Sequence, residues 1–506
     1  MRTKTFFWNS VTSILSQIFI FASGLIVPRV MLVAYGSDVN GLVSSISQFI
    51  TYFNLLEAGL SGATVYALYK PLADQDTDAI NGILSASRKF YLQIGWLFTA
   101  LVGGLALLYP LFIQEQGFSN WEISLLVLVL GGNGALEFFT LAKYRTLLTA
   151  DQKTYVICLA DIVRWTVYTA VIVVFTALGC NIILTRAIAL LAIFARSIFL
   201  VVYCKRRYRY LDYSVSPNVK ALDRRWSALY LQLLGLIRTS GPVVLLTVVS
   251  RDLALISIYT VYNIVVSGVQ SIIGIFYSGL TASFGDVIAK GERDILKRTY
   301  SEFETLFYTA LGVVYTLCFA LILPFIQIYT AGVTDAEYIQ PLLAVLFVLN
   351  GMLYNVRNPQ GMLVISAGMY KETQLQSTLE GGILLVAGGV LCYFYGLTGL
   401  LIGILLSNLY RDIDLTVFVP RHITHIPIRD TLKQYGIVAA GLGISLWLIH
   451  QTISLDGIDS YLTWCVAAIK MGVLTVAVFA LLNALFNRRD WPGILRRVKL
   501  LLPQKS

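Results

Sequence analysis

The sequence predicts an all-α integral membrane protein with about fourteen transmembrane helices. Of its 506 residues, 57% are hydrophobic and only 13% are charged, and the mean hydropathy is +0.73. Soluble domains carry roughly 25% charged residues. Apolar runs recur along the whole chain, and basic residues gather in every second loop. A water-soluble protein of this composition could not cover its surface with polar groups, so the bilayer is the solvent that fits.

Fourteen apolar runs are long enough to cross a membrane, which takes about 20 residues each. The first run is longer than the apolar part of a signal peptide and lacks a clear cleavage site, so we expect it to remain as span one. The predicted spans are 6–27, 40–68, 90–113, 121–142, 154–178, 182–203, 226–249, 254–284, 303–329, 338–366, 374–395, 398–419, 434–453 and 460–486.

The distribution of Lys and Arg predicts that both termini are cytoplasmic. With the N-terminus inside, thirty of the 38 basic residues fall in cytoplasmic segments, among them Arg145 and Arg411. Outer loops hold only Arg29 and Arg251. Cytoplasmic loops of membrane proteins carry such an excess of positive charge. Topology therefore explains most of the net charge of +10, and nucleic acid is not expected as a partner.

Metal and cofactor sites are not expected from the cysteines and histidines. The six cysteines show no CxxC spacing, and most lie inside apolar runs. The chain has three histidines, of which His422 and His425 are close in sequence. We interpret that pair as part of a solvated loop, since a structural metal site takes about four well-spaced ligands.

An internal repeat divides the predicted spans into two lobes. A parallel repeat of six spans is typical of several transporter folds, in which two lobes alternate around a central site. The expected domains are an N-lobe at 1–204, a cytoplasmic linker at 205–225, a C-lobe at 226–425, and spans 13 and 14 with a basic tail at 426–506. At an offset of about 217 residues, the matching pairs are Asn133-Gly134 with Asn350-Gly351, Ala150 with Ala367, and Gly179 with Gly396.

Ionisable residues inside the spans are costly in a membrane and are candidates for function. Guanidinium groups suit phosphate because their planar fork binds two oxygens, so these residues favour an anionic substrate over a cation. Alternatively, each one snorkels or pairs between helices. Arg186 also lies inside a span, near the outer face. The candidates for an anion-binding cavity are Arg29, Arg164, Arg196, Arg238, Arg357 and Lys470.

Four acidic residues also fall inside spans: Glu57, Glu137, Asp161 and Glu380. We take Glu57 and Asp161 as candidates for coupling to an ion, and leave open whether that ion is a proton or sodium. Asp161 and Arg164 are three residues apart and share a helix face, so a local ion pair without a ligand role is the alternative.

The N-terminal stretch resembles the bacterial repeat-unit flippases of surface polysaccharide, within the multidrug/oligosaccharidyl-lipid/polysaccharide exporter superfamily. Residues 37–49, SDVNGLVSSISQF, look most like those of Gram-positive capsule and exopolysaccharide clusters. The family's length and fourteen spans cover the whole chain. The residues that carry the resemblance are Asn9, Pro28-Arg29, Tyr35-Gly36, Asn40-Gly41-Leu42-Val43 and Glu57-x-Gly59.

This resemblance implies a transporter that flips an undecaprenyl-pyrophosphate-linked oligosaccharide from the inner to the outer leaflet of the bacterial cell membrane. It also implies that the protein is a monomer, and that its partners are membrane lipids and polysaccharide polymerase machinery. A drug or organic-cation antiporter and a peptidoglycan lipid-precursor flippase are the alternatives within the same fold. An enzyme is not expected, because the outer loops are too short for a catalytic domain, and the sequence contains no phosphate-binding P-loop motif.

Overall fold

The computed structural model describes residues 2–113, 117–140, 142–218, 229–278, 280–455 and 457–487. Within these ranges the chain is helical and contains no strand. A 3₁₀ turn covers Asn54–Glu57, and a π-helical turn covers Pro420–Thr424. The helices are α1 Arg2–Phe53, α2 Ala58–Asp74, α3 Thr77–Phe112, α4 Asn120–Thr140, α5 Ala142–Ala150, α6 Thr154–Ala177, α7 Ile182–Ala189, α8 Leu191–Arg207, α9 Leu229–Thr239, α10 Gly241–Val249, α11 Leu253–Ser278, α12 Thr281–Ala289, α13 Arg293–Tyr329, α14 Pro341–Val356, α15 Asn358–Ser366, α16 Gln374–Val419, α17 Ile428–Thr452 and α18 Tyr461–Phe486.

The all-α membrane fold predicted from the sequence is confirmed. Ten helical stretches of the described chain are long and apolar enough to cross a membrane, and α9 with α10 forms an eleventh, bent by 55°. Two of the ten stretches, Phe7–Asp74 and Gln374–Thr424, each contain two predicted spans. The span predicted at 338–366 is broken into α14 and α15. In the described part of the chain, each of the fourteen predicted spans overlaps a helix.

The chain divides into two compact units, Met1–Ile258 and Tyr259–Ser506, here called unit 1 and unit 2. The division comes after α9 and α10, later than the linker predicted at 205–225. The lobe boundaries drawn from the sequence therefore stay a prediction. Residues 219–225 of that linker and the basic tail from 488 lie outside the described residues.

The helix pattern of unit 1 recurs in unit 2 at the offset seen in the sequence. α3 begins at Thr77 and α13 at Arg293, and the short helices α5 and α15 end at Ala150 and Ser366. Gly179 and Gly396 both have positive φ, at +73° and +56°. Positive φ is the conformation that glycine adopts without steric cost. The repeat thus extends to the turns.

The repeated glycines of spans four and ten mark matching sites of close helix packing. A Cβ at Gly134 would lie 2.5 Å from Cζ of Phe98, and one at Gly351 would lie 3.1 Å from the hydroxyl of Tyr315. Phe98 and Tyr315 are themselves 217 residues apart. Small residues let membrane helices approach closely, so the same contact holds each unit together.

Residues of the N-terminal motif join α1 to later helices of unit 1. The Asn9 side chain donates to the carbonyl of Gln152 (2.8 Å) and accepts from the amide of Tyr155 (2.8 Å), at the start of α6. The Asn40 amide donates to the Ser257 hydroxyl at 2.8 Å. Such bonds satisfy polar groups that lipid cannot. These motif residues therefore have a structural role.

In unit 2, the last two spans pack against α13 through buried amide and hydroxyl groups. Gln434 on α17 donates to Thr305 at 2.9 Å, and Asn483 on α18 donates to Thr309 at 3.0 Å. Asn487 donates to Gln434 at 3.1 Å. α17 and α18 are thus built into unit 2.

Candidate functional site

A cavity of about 400 Å³ lies within unit 1, among α1, α4, α6 and α7. Its volume falls in the range of small-molecule sites. Asn54 and Asn133 supply neutral polar groups, and Phe138 with several aliphatic side chains supplies the apolar wall. The charged side chains on the wall are Glu57, Glu137, Arg145, Arg164 and Arg186.

Arg145 connects two acidic residues at one end of this cavity. One of its terminal nitrogens binds Oε1 of Glu137 at 2.9 Å, and the other pairs with Glu57. Arg145 lies on α5 and Glu57 in the turn before α2, so the ion pair joins segments that are distant in sequence. The charge distribution predicts Arg145 in a cytoplasmic loop; in the structure it lies on α5 and on the cavity wall, and the side of the membrane stays a prediction.

Arg196 on α8 is held by two carboxylates. Its Nη1 lies 3.0 Å from Oε1 of Glu137, and its Nε lies 2.8 Å from Oδ1 of Asp161. The side chain is 4% exposed and is absent from the cavity wall. Asp161 therefore pairs with Arg196, and the local pair between Asp161 and Arg164, the alternative to a coupling role, is not formed.

This arrangement leaves Arg164 with its guanidinium on the cavity wall. It has neither a hydrogen bond nor an ion pair to any side chain in the described ranges, and its guanidinium carbon lies 5.1 Å from the ring centre of Trp165. Such a ring stabilises a cation modestly, by about 0.5–2 kcal/mol. Arg164 is thus free to bind an anion that enters.

Arg186 is the second basic group on this part of the wall. It donates to the Tyr168 hydroxyl, and Tyr168 packs edge-to-face on Trp165 with ring centres 5.6 Å apart. Its Nε is buried and has no hydrogen-bond acceptor among the residues that the structure describes. In and beside the cavity lie four guanidinium groups (Arg145, Arg164, Arg186, Arg196) and three carboxylates (Glu57, Glu137, Asp161), an excess of one positive charge.

The remaining anion-binding candidates do not line this cavity. Arg29 on α1 and Arg238 on α9 are half-buried, and Lys470 on α18 is exposed. Arg357 belongs to unit 2, where Nη1 pairs with Oε1 of Glu380 at 2.8 Å. The structure thus brings together Glu57, Asp161, Arg164 and Arg196 from the predicted set.

Unit 2 contains its own buried ion cluster, formed by α16 and by Arg357, which follows α14. Nε of Arg411 lies 3.8 Å from Oε2 of Glu380, and its Nη1 lies 2.6 Å from Oδ2 of Asp414. Arg411, which the charge distribution assigns to the cytoplasmic side, is buried within α16, so it is not a solvated loop charge. Asp412 and Asp414 were overlooked. Their position in the last turns of an apolar run was the available signal.

No group of three or more His, Cys, Asp or Glu side chains suited to a metal ion occurs in the described part of the chain. In unit 1, guanidinium groups outnumber the carboxylates instead. The charged chemistry available to unit 1 is therefore the binding of oxyanions by guanidinium groups.

Comparisons with known proteins agree on the fold. An inward-facing multidrug resistance MATE family transporter of the MOP superfamily matches with a TM-score of 0.63 at 15% identity, over 85% of this chain and 96% of that one. The lipid II flippase MurJ, in an inward closed conformation, matches with a TM-score of 0.66 at 14% identity, over 95% and 99%.

A MOP superfamily transporter from Pyrococcus furiosus matches with a TM-score of 0.51 at 14% identity, over 86% of this chain and 94% of that one. No family model matches the sequence, and no curated protein is significantly similar to it. At such low identity, structural likeness establishes the fold. This chain therefore has the fold of the MOP superfamily transporters.

Proposed function

We propose that this protein transports a lipid-linked oligosaccharide, carried on undecaprenyl pyrophosphate, from the inner to the outer leaflet for surface polysaccharide export. It would do so by alternating access, in the bacterial cytoplasmic membrane and with both termini cytoplasmic. The observation that carries this proposal is the pair of guanidinium groups, Arg164 and Arg186, on the wall of the unit 1 cavity.

The energetics of the cavity favour an anionic ligand. Placing an arginine at the middle of a membrane helix costs about 2.5–3.5 kcal/mol on insertion scales. Carboxylates offset this cost for Arg145 and Arg196, but Arg164 has no such partner in the described chain. A phosphate oxygen next to Arg164 would supply the missing negative charge. Pyrophosphate offers several oxygens, which suits two neighbouring guanidinium groups.

The fold supports transport of a lipid-linked substrate. One of the structures with this fold is a lipid II flippase. The repeated six-span pattern is the type that permits alternating access. A peptidoglycan lipid precursor would present a similar phosphate group to the cavity, so it remains an alternative substrate of the same class.

A drug or organic-cation antiporter is the second candidate function. The likeness to a multidrug resistance MATE transporter favours it. So does unit 2, where the cluster holds two guanidinium groups (Arg357, Arg411) and three carboxylates (Glu380, Asp412, Asp414). For the P. furiosus protein, a reversed polarity of the binding pocket is taken to suggest a different function. The sign of the bound ligand is therefore the property to measure.

Ligand binding to the purified full-length protein in lipid nanodiscs tests the proposal. Undecaprenyl pyrophosphate and a lipophilic organic cation would each be titrated against the native chain and against Arg164→Ala and Arg186→Ala. A charge-assisted hydrogen bond is worth about 1.5–3 kcal/mol, so each variant should bind the pyrophosphate about 10- to 100-fold more weakly. Arg429→Ala, whose side chain is 86% exposed, is the matched control and should bind normally.

Tight binding of the cation, unaffected by the arginine substitutions, would instead support the antiporter.

A test in cells complements this measurement. Deletion of the gene should abolish surface polysaccharide while lipid-linked repeat units accumulate on the inner leaflet. Normal surface polysaccharide in the deletion strain, with no redundant transporter present, would contradict the flippase proposal.

A further inference from the structure

We propose that Asp412 in unit 2 is a site of reversible protonation. Asp412 lies on α16 and lines a second cavity of about 400 Å³, which is contained within unit 2. The rest of this cavity is largely apolar, with Leu353, Leu432 and Val438 on its wall. This role goes beyond the proposed substrate, because proton binding at Asp412 does not depend on what is transported.

The Asp412 carboxyl group lacks the partners that a buried charge requires. The residue is 7% exposed, and neither carboxyl oxygen has a hydrogen-bond donor among the described residues. No Lys, Arg or His nitrogen of the described chain lies within ion-pair distance of it. A bare carboxylate is strongly disfavoured in such surroundings because burial removes its hydration, whereas a protonated carboxyl group is neutral.

The polar groups around Asp412 are engaged elsewhere. From α17, the Tyr435 hydroxyl hydrogen-bonds to Thr416 at 2.8 Å. From α13, the Tyr308 hydroxyl donates to the carbonyl of Val356 at 2.8 Å, and Glu304 accepts from Thr431 at 2.9 Å.

The charged neighbours of Asp412 are likewise committed. Arg357, which follows α14, is paired with Glu380 at 2.8 Å, although it lies near enough to act on Asp412 through space. On α16 itself, Arg411 is bound to Asp414 at 2.6 Å. The proton is therefore the ligand that fits, since an alkali or alkaline-earth cation would need several oxygen ligands at once.

Asp412 differs in this respect from the coupling candidates of the sequence analysis. Glu57 is paired with Arg145, and Asp161 is paired with Arg196. A carboxylate with a guanidinium partner is already stabilised in its charged form. Among these three groups, Asp412 is the one without a guanidinium partner at ion-pair distance in the described part of the chain.

Protonation of Asp412 would change the conformational preference of unit 2. Taking up one proton converts the carboxylate to a neutral acid, which the apolar cavity accommodates. Release of the proton to water restores the charge and favours any conformation in which the carboxylate reaches water or a cation. Leu432, on the cavity wall, is 53% exposed, so the cavity reaches the protein surface.

Labelling with dicyclohexylcarbodiimide tests this inference on the native full-length protein. This apolar reagent adds a protonated carboxyl group across its N=C=N unit and leaves a stable acylurea that mass spectrometry can locate. We expect labelling of Asp412 that decreases as the pH rises, and at least tenfold less labelling of Asp414, its ion-paired neighbour. Asp412→Asn should remove the label, whereas Asp414→Asn should retain it.

Absence of label at Asp412 across the pH range, or labelling that does not depend on pH, would overturn the inference. Loss of the label on addition of sodium at constant pH would also overturn it, because the site would then bind a metal cation. None of these measurements uses a lipid-linked substrate. Failure of the flippase proposal and failure of the Asp412 proposal are therefore distinguishable.

Discussion

Replacing Arg196 by methionine should strongly destabilise unit 1. Arg196 is 4% exposed and lies 3.0 Å from Glu137 and 2.8 Å from Asp161. Methionine keeps much of the side-chain volume and removes the charge. The substitution therefore tests the ion pairs separately from packing.

The structure indicates how the cost divides between the two carboxylates. Glu137 retains Arg145 at 2.9 Å, whereas Asp161 loses the ion pair that the structure gives it. Breaking a buried ion pair by removing one partner costs about 3–5 kcal/mol. Because only Asp161 is left without an ion-pair partner, we count one broken pair. We therefore expect Arg196→Met to lower the free energy of unfolding by about 3–5 kcal/mol.

The measurement is reversible unfolding in mixed detergent micelles, followed by circular dichroism. The double variant Arg196→Met/Asp161→Asn removes the stranded charge and should recover a substantial part of the loss, since coupled residues are not additive. A cost below about 1 kcal/mol, the value typical of exposed pairs, would refute the reasoning. So would a double variant as unstable as the sum of the two single variants.

Three further predictions concern packing, a buried hydroxyl and charge. Gly403→Ala should cost about 1–3 kcal/mol in unfolding assays, because its new Cβ would lie 2.3 Å from the Cα of Gly388. Tyr262→Phe should cost about 0.5–1.5 kcal/mol, since the buried hydroxyl donates to the carbonyl of Tyr338 at 2.7 Å. Burial, with two neighbouring basic side chains, lowers the pKa of Lys143 on α5. Between this lowered pKa and the usual lysine pKa, the unfolded chain binds more protons than the folded one. The free energy of unfolding should therefore rise with pH in that range.

Each of these predictions has a matched control. Gly382→Ala places a Cβ in open space on the same helix and should not destabilise the protein. Tyr393→Phe removes an exposed hydroxyl and should be neutral. Lys143→Met should flatten the rise of stability with pH, whereas Lys290→Met, at an exposed position, should not. For each of the three predictions, equal effects in the variant and its control would contradict it.

The fold was predictable because each span carries its own signal. An apolar run of about 20 residues identifies a membrane helix without knowledge of its neighbours. The breaks within spans were not predictable in this way. Arg357 interrupts the tenth span between α14 and α15, and an average of hydropathy over the whole span conceals the short polar run at 357–360.

The site was predictable in its residue types but not in its pairings. Sequence could identify charged residues inside spans, including Asp161, Arg164 and Arg196. Which of them are neutralised depends on contacts between helices, such as the ion pair between Asp161 and Arg196. Arg145 was assigned to a loop because counting basic residues by loop cannot show that a side chain reaches Glu57.

The pairing of Asp161 with Arg196 has a consequence for biosynthesis. α6 carries both Asp161 and Arg164, and each charged residue adds about 2.5–3.5 kcal/mol to the cost of inserting an isolated helix through the translocon. The partner of Asp161 lies on α8, which leaves the ribosome later. We therefore expect α6 to enter the lipid inefficiently by itself and to be retained at the translocon until α8 arrives.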